Sequence, residues 1–339
     1  MFDIMKGKYY ESDYEEALID LLVQQGWEYT HGGSISRNNR EVLFVDDLML
    51  YLQQRYPDLQ HGDIEEIINR LRHVSGQTHF ELLRNTYYLV RDGFRYIRNQ
   101  DGETFDIEFV DFEAQNKNNI YRCVNQFEVG YGQKNDIRIP DVLLFVNGIP
   151  LCVFELKNPT DFNATIADAY DQIHIRYKRD IPHLLRYAPL SCISDATINN
   201  TKLGTTYTPY NHYYVWKKVN NEDESAKRGT DQVKTIVAGV YEPNRFLEII
   251  RDFVYFPDKK HDKEEEVVCR YPQFFATRML KESVLKAHSA NSSKGGTYFG
   301  ATGCGKTYTM MFLARQLSLR CKELGSPTIV MIEIGRAHV

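Results

Sequence analysis

Three charged side chains lie in an almost wholly apolar segment, residues 140–157, and their types suit chemistry on a phosphoryl group. They are Asp141, Glu155 and Lys157. Two carboxylates can hold Mg²⁺, which keeps several waters and contacts a substrate phosphate. The metal lowers the pKa of a bound water, and a neighbouring lysine can stabilise the transition state. We therefore predict a site with Asp141 and Glu155 as magnesium ligands.

A tight hairpin must position these residues, because Asn147-Gly148 separates two apolar runs, the strongest short hairpin signal. A strict two-residue loop would place Asp141 and Glu155 on opposite faces of the sheet. A three-residue loop with a bulge would set them opposite each other, as the metal hypothesis requires. The alternative is that Asp141 begins a strand, and that Glu155 and Lys157 end one at the solvent.

Helical periodicity is clearest over residues 14–22, where apolar side chains recur on one face. Ser12 and Glu15 fit a capping box at the start of this helix, and Gly26 fits its end. A second helical pattern covers about residues 63–74. From residue 121 onward, strand-like patterns cover residues 121–129, 141–146 and 149–156.

The hairpin with its carboxylates resembles the PD-(D/E)XK nuclease core. The wider stretch resembles the N-terminal nuclease domain of the restriction (R) subunit of type I restriction-modification enzymes. The resembling residues are 124–127, 138–141, 145–151 and 155–157. The resemblance implies that Asp141, Glu155 and Lys157 are catalytic and that duplex DNA is the substrate.

The same family has a Gln-x-x-x-Tyr motif on the following helix, which corresponds here to Gln172 and Tyr177 with one inserted residue. It also has a glutamate on an upstream helix, which Glu15 matches best. The alternative for Glu15 is the capping box. Residues 174–187 interleave basic and aromatic side chains, which suits a DNA backbone or a solvated helix face. We expect His174 and His183 to pack or hydrogen-bond rather than to bind metal.

A second motif, residues 300–307, matches the phosphate-binding pattern GxxxxGK[ST]. We expect a strand at residues 296–299 to enter the loop and a helix at residues 307–324 to leave it. Backbone N–H groups at such a helix N-terminus cradle phosphates, the lysine contacts the β- and γ-phosphates of ATP, and the threonine binds Mg²⁺. The candidate residues are Gly300, Gly303, Gly305, Lys306 and Thr307.

Residues 270–273 resemble the Q-motif of superfamily 2 helicases, in which the glutamine reads adenine. Gln273 is the candidate, and a polar residue at a helix start is the alternative. The order of nuclease, linker, Q-motif and phosphate loop again resembles the type I R subunit. The resemblance implies an α/β chain, with a PD-(D/E)XK core of mixed sheet flanked by helices. An incomplete RecA-like P-loop domain follows this core.

Composition is that of an ordinary globular protein: 339 residues, 42% apolar, 26% charged, with a formal net charge of −5. This excludes a disordered or membrane-spanning chain, and the mild acidity does not exclude a nucleic-acid partner. Six cysteines without a CxxC pair, and no signal peptide, predict a cytoplasmic protein without disulfides or a zinc site. We predict a nuclease domain at 1–256, a charged linker at 257–267 and a motor domain at 268–339.

The chain stops soon after a strand expected at residues 328–332, so we expect the motor to be truncated. Residues 333–339 depart from the family pattern, and we interpret them as a non-native tail. The leading hypothesis is an ATP-dependent type I endonuclease subunit that acts with methyltransferase (M) and specificity (S) subunits on unmodified foreign DNA. The alternatives are another nuclease–helicase fusion in phage defence or DNA repair, or a non-catalytic NTP-binding DNA scaffold.

Overall fold

The computed structural model describes residues 11–113, 118–133, 136–157, 165–195, 197, 200–226, 229–257 and 264–332. These include eleven α-helices: α1 (Glu11–Gln24), α2 (Val45–Arg55), α3 (His61–Arg72), α4 (His79–Asp92), α5 (Ile166–Asp171), α6 (Lys178–Asp180), α7 (Pro182–Leu185), α8 (Gly229–Val240), α9 (Pro243–Asp252), α10 (Tyr271–Ser289) and α11 (Lys306–Arg320). A π-helical segment, Gln172–Tyr177, joins α5 to α6. Short 3₁₀ turns lie at Gly32–Ser34, Tyr210–His212 and Lys322–Leu324.

The same residues include thirteen strands: β1 (Glu28–His31), β2 (Phe94–Ile97), β3 (Thr104–Ile107), β4 (Tyr121–Asn125), β5 (Val129–Tyr131), β6 (Asp136–Arg138), β7 (Val142–Val146), β8 (Ile149–Leu156), β9 (Leu190–Ser194), β10 (Thr201–Gly204), β11 (Tyr214–Val215), β12 (Val254–Tyr255) and β13 (Val267–Val268). Seven of them form one mixed sheet in the order β1-β4-β7-β8-β9-β10-β11. The β1–β4 and β8–β9 pairs are parallel, and the other neighbours are antiparallel.

The centre of this sheet is β7 and β8, whose residues are all buried. Strands covered on both faces need apolar side chains on both faces, which explains their nearly continuous apolar sequence. Alternate side chains of β8 meet different helical layers. Phe154 packs on Tyr241, just after α8, with ring centroids 4.7 Å apart, whereas Glu155 contacts Tyr177 on the π-helical segment. This confirms a mixed sheet flanked by helices.

The first helix forms where the periodicity predicts it, and its C-terminal end is followed by Gly26 with a positive φ of 107°. The predicted capping box is wrong, because Ser12 lies inside α1 rather than before it. The predicted second helix is α3, which begins two residues before position 63. Gln60 and Asp63 form a capping box at its start.

The phosphate-loop region differs from the prediction. The helix after the loop is present as α11, but residues 296–299 and 328–332 are not strands. Phe299 is 94% exposed. A strand needs a neighbour for its backbone hydrogen bonds, and no strand pairs with either segment in the described part of the chain. The sheet of a RecA-like domain is therefore absent from these residues.

The structure describes only part of the predicted linker and none of the predicted tail. Most of the charged run, residues 258–263, lies outside the described residues, as does the predicted tail at 333–339. The end of the predicted linker is not a solvated spacer, because Val267–Val268 pairs with Val254–Tyr255 and Glu266 is buried. No helix in the described ranges is long and apolar enough to cross a membrane.

Candidate active site

The β7–β8 hairpin sets the two predicted metal ligands opposite each other. It has a two-residue turn and then shifts register, as its pairs show: Val146–Ile149, Phe145–Pro150, Leu144–Cys152, Leu143–Val153 and Val142–Phe154. Leu151 is thus an extra residue, which forms a β-bulge next to a proline that cannot donate a ladder hydrogen bond. Continued by one residue, this register places Asp141 opposite Glu155.

The turn itself is anchored from both sides. Asn147 and Gly148 have positive φ values of 50° and 79°, as a two-residue hairpin turn requires. The buried Asn147 side chain accepts a hydrogen bond from Ile120 N and donates to Phe109 O. A Cβ on Gly148 would lie 2.1 Å from Phe44 O. Only glycine therefore allows this close approach.

Asp141 is oriented by the backbone of the opposite strand, because its Oδ2 accepts a 2.6 Å hydrogen bond from Leu156 N. Glu155 is fully buried. Lys157 lies two residues further along and donates from Nζ to Glu155 Oε1 at 2.7 Å and to Leu156 O at 2.9 Å. The predicted alternative of a solvent-exposed Glu155 and Lys157 is wrong, since their side chains are 0% and 12% exposed.

The inserted residue in the Gln-x-x-x-Tyr motif is absorbed by the π-helical segment. A π-helix bonds residue i to i+5 and so accommodates one extra residue without changing which side chains share a face. Gln172 Nε2 donates to the Tyr177 hydroxyl at 2.9 Å, and this hydroxyl donates to Glu155 Oε2 at 2.9 Å. The structure therefore brings five predicted residues together: Asp141, Glu155, Lys157, Gln172 and Tyr177.

Tyr177 acts as a hydrogen-bond donor in this arrangement. Burial raises the pKa of its hydroxyl, and the adjacent Glu155 raises it further. The hydroxyl therefore stays protonated at neutral pH. Its proton then faces the carboxylate.

The donor set suits Mg²⁺ rather than a metal held by an all-protein cage. Among the residues that the structure describes, no group of three or more His, Cys, Asp or Glu side chains could hold a metal. Mg²⁺ is commonly bound by one or two carboxylates together with waters and substrate phosphate. Asp141 and Glu155, opposite each other on one face of the sheet, fit that pattern.

Glu15 approaches the sheet from another direction. It is 8% exposed and accepts a 2.5 Å hydrogen bond from Asn125 Nδ2 at the end of β4. Asn125 pairs with Val142, so its side chain points to the face opposite to that of Asp141. The structure thus ties Glu15 to Asn125 at the end of β4. Its catalytic role stays a prediction.

Sequence reasoning assigned no role to Asn125. Its Nδ2 donates to Glu15, and its Oδ1 accepts a 3.0 Å hydrogen bond from the Tyr29 hydroxyl. It thereby joins α1, β1 and β4. The signal in the sequence is an amide side chain at the end of a buried strand, where a polar group needs partners.

The basic and aromatic residues predicted to meet DNA separate into two groups. Tyr177 and Tyr187 are buried and cannot stack on bases, whereas Arg176 and Arg179 are exposed. His174 hydrogen-bonds to the Tyr213 hydroxyl at 2.9 Å, in agreement with the predicted packing role.

The phosphate loop ends at the N-terminus of α11. Gly303 and Gly305 have φ values of 79° and 80°, and Gly305 caps the helix. Lys306 Nζ donates to Gly300 O at 2.9 Å and to Ala301 O at 3.0 Å, so the lysine folds onto its own loop. Thr307 is exposed at the first turn.

Gln273 is 3% exposed and lies against this loop. Its Oε1 accepts a 2.8 Å hydrogen bond from Arg270 N, as the N3 residue of a capping box at the start of α10. Its Nε2 donates to Cys304 O at 3.2 Å and to Gly305 O at 3.3 Å. The helix-start alternative therefore describes its contacts, and adenine recognition stays a prediction.

Comparison with known proteins identifies the family. Residues 8–212 match the family described as type I restriction enzyme R protein N terminus. The chain is 31% identical over 336 residues to the type I restriction enzyme HindI endonuclease subunit of Haemophilus influenzae. That match covers 95% of this chain and 31% of the relative.

A second relative is the putative type I restriction enzyme MjaIXP endonuclease subunit of Methanocaldococcus jannaschii. It is 27% identical over 351 residues, which cover 94% of this chain and 32% of the relative. The chain thus spans about a third of the length of the curated relatives that it matches. The family match covers more than half of the chain and contains every residue of the buried carboxylate site. The chain belongs to the family of type I restriction enzyme R proteins and represents its N-terminal region.

Proposed function

We propose that this chain carries the Mg²⁺-dependent DNA endonuclease site of a type I restriction enzyme. The observation that carries the proposal is the convergence of Asp141, Glu155 and Lys157 on one face of the sheet, with Tyr177 bonded to the same carboxylate as the lysine. Glu155 is fully buried and the Lys157 side chain is 12% exposed, and buried charges are costly unless they are paired or bind a metal ion. Relatives named endonuclease subunits support this assignment.

Each residue has a distinct role in the proposed cleavage. Asp141 and Glu155 would hold Mg²⁺, whose chemistry when bound is to acidify a water and to neutralise charge on the phosphate. Lys157 has to release Glu155 Oε1 to a metal ion, and its ammonium can then stabilise negative charge on the phosphoryl oxygens. Tyr177 and Gln172 orient Glu155 without touching the substrate.

We further propose that the loop at residues 300–307 binds ATP together with Mg²⁺. The helix N-terminus and the left-handed glycines support it, because they aim backbone N–H groups at a phosphate. Lys306 would exchange its contacts with loop carbonyls for the β- and γ-phosphates, and Thr307 would contact the metal. Binding of a fluorescent ATP analogue, lost in Lys306→Ala, is the corresponding test.

The whole enzyme would act on unmodified foreign duplex DNA, with methyltransferase and specificity subunits as partners and ATP-driven translocation preceding cleavage. The relatives are named endonuclease subunits of type I restriction enzymes, which supports the restriction setting of this proposal. Exposed Arg176 and Arg179 beside the site supply positive charge for the DNA backbone.

Nicking of supercoiled plasmid by the chain, with and without Mg²⁺, tests the nuclease proposal. Asp141→Asn and Lys157→Met should each lower the Mg²⁺-dependent rate at least ~100-fold, because each removes a group from the reacting centre. Asp171→Asn, an exposed carboxylate at the end of α5, is the matched control and should nick normally. Equal nicking by Asp141→Asn and the wild type would refute the proposal.

A further inference from the structure

The backbone that carries Asp141 into the candidate active site lies between two strands. Strand β6 ends at Arg138 and β7 begins at Val142, so residues 139–141 belong to neither. We call residues 138–141 the junction. Because strand pairing does not fix the backbone between β6 and β7, contacts of its own must determine where the Asp141 side chain starts from.

An ion pair between Arg138 and Asp180 ties the junction to α6. Arg138 Nε and Nη2 lie 2.8 Å and 2.6 Å from Asp180 Oδ2. The same guanidinium lies over the ring of Tyr131 on β5, with Cζ 4.9 Å from the ring centroid. The Arg138 side chain is thus held by an aromatic ring and by a carboxylate from a distant part of the chain.

Asp180 is well placed to hold this arginine. Its side chain is 6% exposed, and its Oδ1 accepts a 2.7 Å hydrogen bond from Arg179 Nε. Hydrogen bonds from Arg179 and Arg138 lower the pKa of Asp180 to about 2, although burial acts in the opposite direction. Asp180 is therefore ionised at neutral pH. Removal of a buried carboxylate would leave the partly buried Arg138 without its counter-charge.

A second contact joins the same two parts of the chain. The Tyr177 hydroxyl, which donates to Glu155 Oε2 at 2.9 Å, lies 3.3 Å from Ile139 O. Tyr177 and Asp180 are three residues apart in helical structure, a spacing that places side chains on one face. The junction is therefore fastened to one helical face at two neighbouring points, Arg138 and Ile139.

We propose that Asp180 is a positioning residue of the nuclease site, which holds Asp141 in place opposite Glu155 through Arg138. Its carboxylate fixes the Arg138 side chain, and Arg138 fixes the junction three residues before Asp141. The inference rests on the proposed nuclease function, because it specifies what places one of the two proposed metal ligands.

The chain offers a matched ion pair for comparison. Arg95 and Asp106 lie opposite each other on the β2–β3 hairpin, which is a separate two-stranded sheet. Arg95 Nε is 3.0 Å from Asp106 Oδ1, and the two side chains are 69% and 77% exposed. Such an exposed pair contributes little to stability, and this one has no link to the junction.

Mg²⁺ titration of plasmid nicking by the full chain tests the proposal. Asp180→Ala and Arg138→Gln should each raise the half-saturating Mg²⁺ concentration about tenfold, as loss of an outer-shell partner does. The maximal rate at saturating Mg²⁺ should change less than about threefold, because the reacting groups are intact. Arg138→Lys keeps a cation beside Asp180 and should restore most of the wild-type titration. Asp106→Ala and Arg95→Gln should titrate like the wild type.

The double variant, Asp180→Ala with Arg138→Gln, should shift the titration no further than either single variant, because the two side chains act through one contact. An additive double variant would overturn the proposal. So would a lower free energy of unfolding in urea with an unshifted Mg²⁺ titration, since that result describes an ion pair that only stabilises the fold.

Hydrogen exchange separates failure of this inference from failure of the nuclease proposal. Asp180→Ala should accelerate amide exchange in residues 138–142, whereas Asp106→Ala should not, whether or not the chain nicks DNA. Faster exchange in a chain without Mg²⁺-dependent nicking would retain the positioning contact and reject the nuclease. Unchanged exchange in a chain that nicks through Asp141 would reject the positioning role alone.

Discussion

Glu155 is fully buried, and each oxygen of its carboxylate accepts a hydrogen bond from a different donor. Lys157 Nζ donates a hydrogen bond to Oε1, and the Tyr177 hydroxyl donates one to Oε2. A carboxylate held in this way has one orientation relative to Asp141 on the opposite strand. In the proposed mechanism, Lys157 gives up Oε1 to the metal ion while the Tyr177 hydroxyl keeps the carboxylate oriented.

Tyr177→Phe tests this orientation directly. The variant removes one donor from Glu155 and the acceptor of Gln172, so the half-saturating Mg²⁺ concentration for nicking should rise about tenfold. The free energy of unfolding should fall by about 1–3 kcal/mol, because buried polar groups lose partners. Plasmid nicking and urea unfolding measure the two effects. Tyr88→Phe on α4 is the control, and an unchanged titration for Tyr177→Phe would contradict the assignment.

His174 predicts a dependence of stability on pH. Burial lowers the pKa of His174 to about 3, and the charge of Lys178 contributes. The folded-state pKa lies below the ordinary 6.5, so the stabilisation is complete above pH 6.5 and is lost as the pH falls toward 3. Between pH 6.5 and pH 5 the loss should be about 2 kcal/mol.

Urea unfolding at several pH values measures this loss, and His174→Gln is the matched variant. The variant should have a flatter pH profile than the wild type over this interval. Parallel profiles would contradict a buried, neutral His174.

Two irregular elements place the site, one in a strand and one in a helix. The bulge at Leu151 brings Asp141 opposite Glu155, and the π-helical segment keeps Gln172 and Tyr177 on one face. Each irregularity absorbs one extra residue, so that the side chains on either side of it share the face that the site needs. Such insertions persist at functional sites, where they direct a side chain that a regular element would misplace.

Deletion of Ile175 tests the role of the π-helical segment. Ile175 is 57% exposed, and its removal restores the four-residue spacing at which an α-helix aligns two side chains. We expect Gln172 and the tyrosine to remain bonded and Mg²⁺-dependent nicking to persist within a few-fold. Deletion of the buried Ala169 on α5 is the control and should abolish nicking, because it rotates apolar side chains out of the core. Loss of nicking on deletion of Ile175 would show that the π-helical geometry itself is required.

At the scale of the whole molecule, the helix that follows the phosphate loop is fastened to the nuclease core. Asp252 at the end of α9 is 1% exposed and accepts a 3.0 Å hydrogen bond from Arg320 on α11. Arg315 on α11 donates to Arg251 O at 2.6 Å, and Phe312 packs on Phe253. The predicted boundary near residue 256 is therefore crossed by buried contacts.

Asp252→Asn should lower the free energy of unfolding by about 2 kcal/mol, because charge-assisted hydrogen bonds to buried groups contribute about 1.5–3 kcal/mol. Urea unfolding gives the value. Glu248→Gln is the control, since Glu248 lies 3.8 Å from the half-exposed Arg278, and it should cost less than about 0.5 kcal/mol. Equal effects of the two substitutions would argue against a shared core.

The sequence by itself was sufficient for the features that short-range chemistry dictates. The hairpin at Asn147-Gly148 follows from residues that tolerate positive φ, and the helix at Lys306 follows from the glycines before it. Asp141, Glu155 and Lys157 could also be recognised as candidate site residues from the sequence, because charged residues within apolar strands are rare. The strands predicted at residues 296–299 and 328–332 are not formed. A local apolar pattern is insufficient for a strand, because its backbone needs a neighbouring strand for hydrogen bonds.

Only the tertiary structure decided which of these residues meet. The bulge at Leu151 brings Asp141 onto the same face of the sheet as Glu155. No local sequence pattern predicts this bulge, because strand register depends on pairing and burial across the sheet. Glu15 bonds to Asn125, more than a hundred residues away, a contact that the local capping-box pattern does not predict. Sequence spacing therefore identifies the chemical groups of this site, whereas long-range packing determines their distances and orientations.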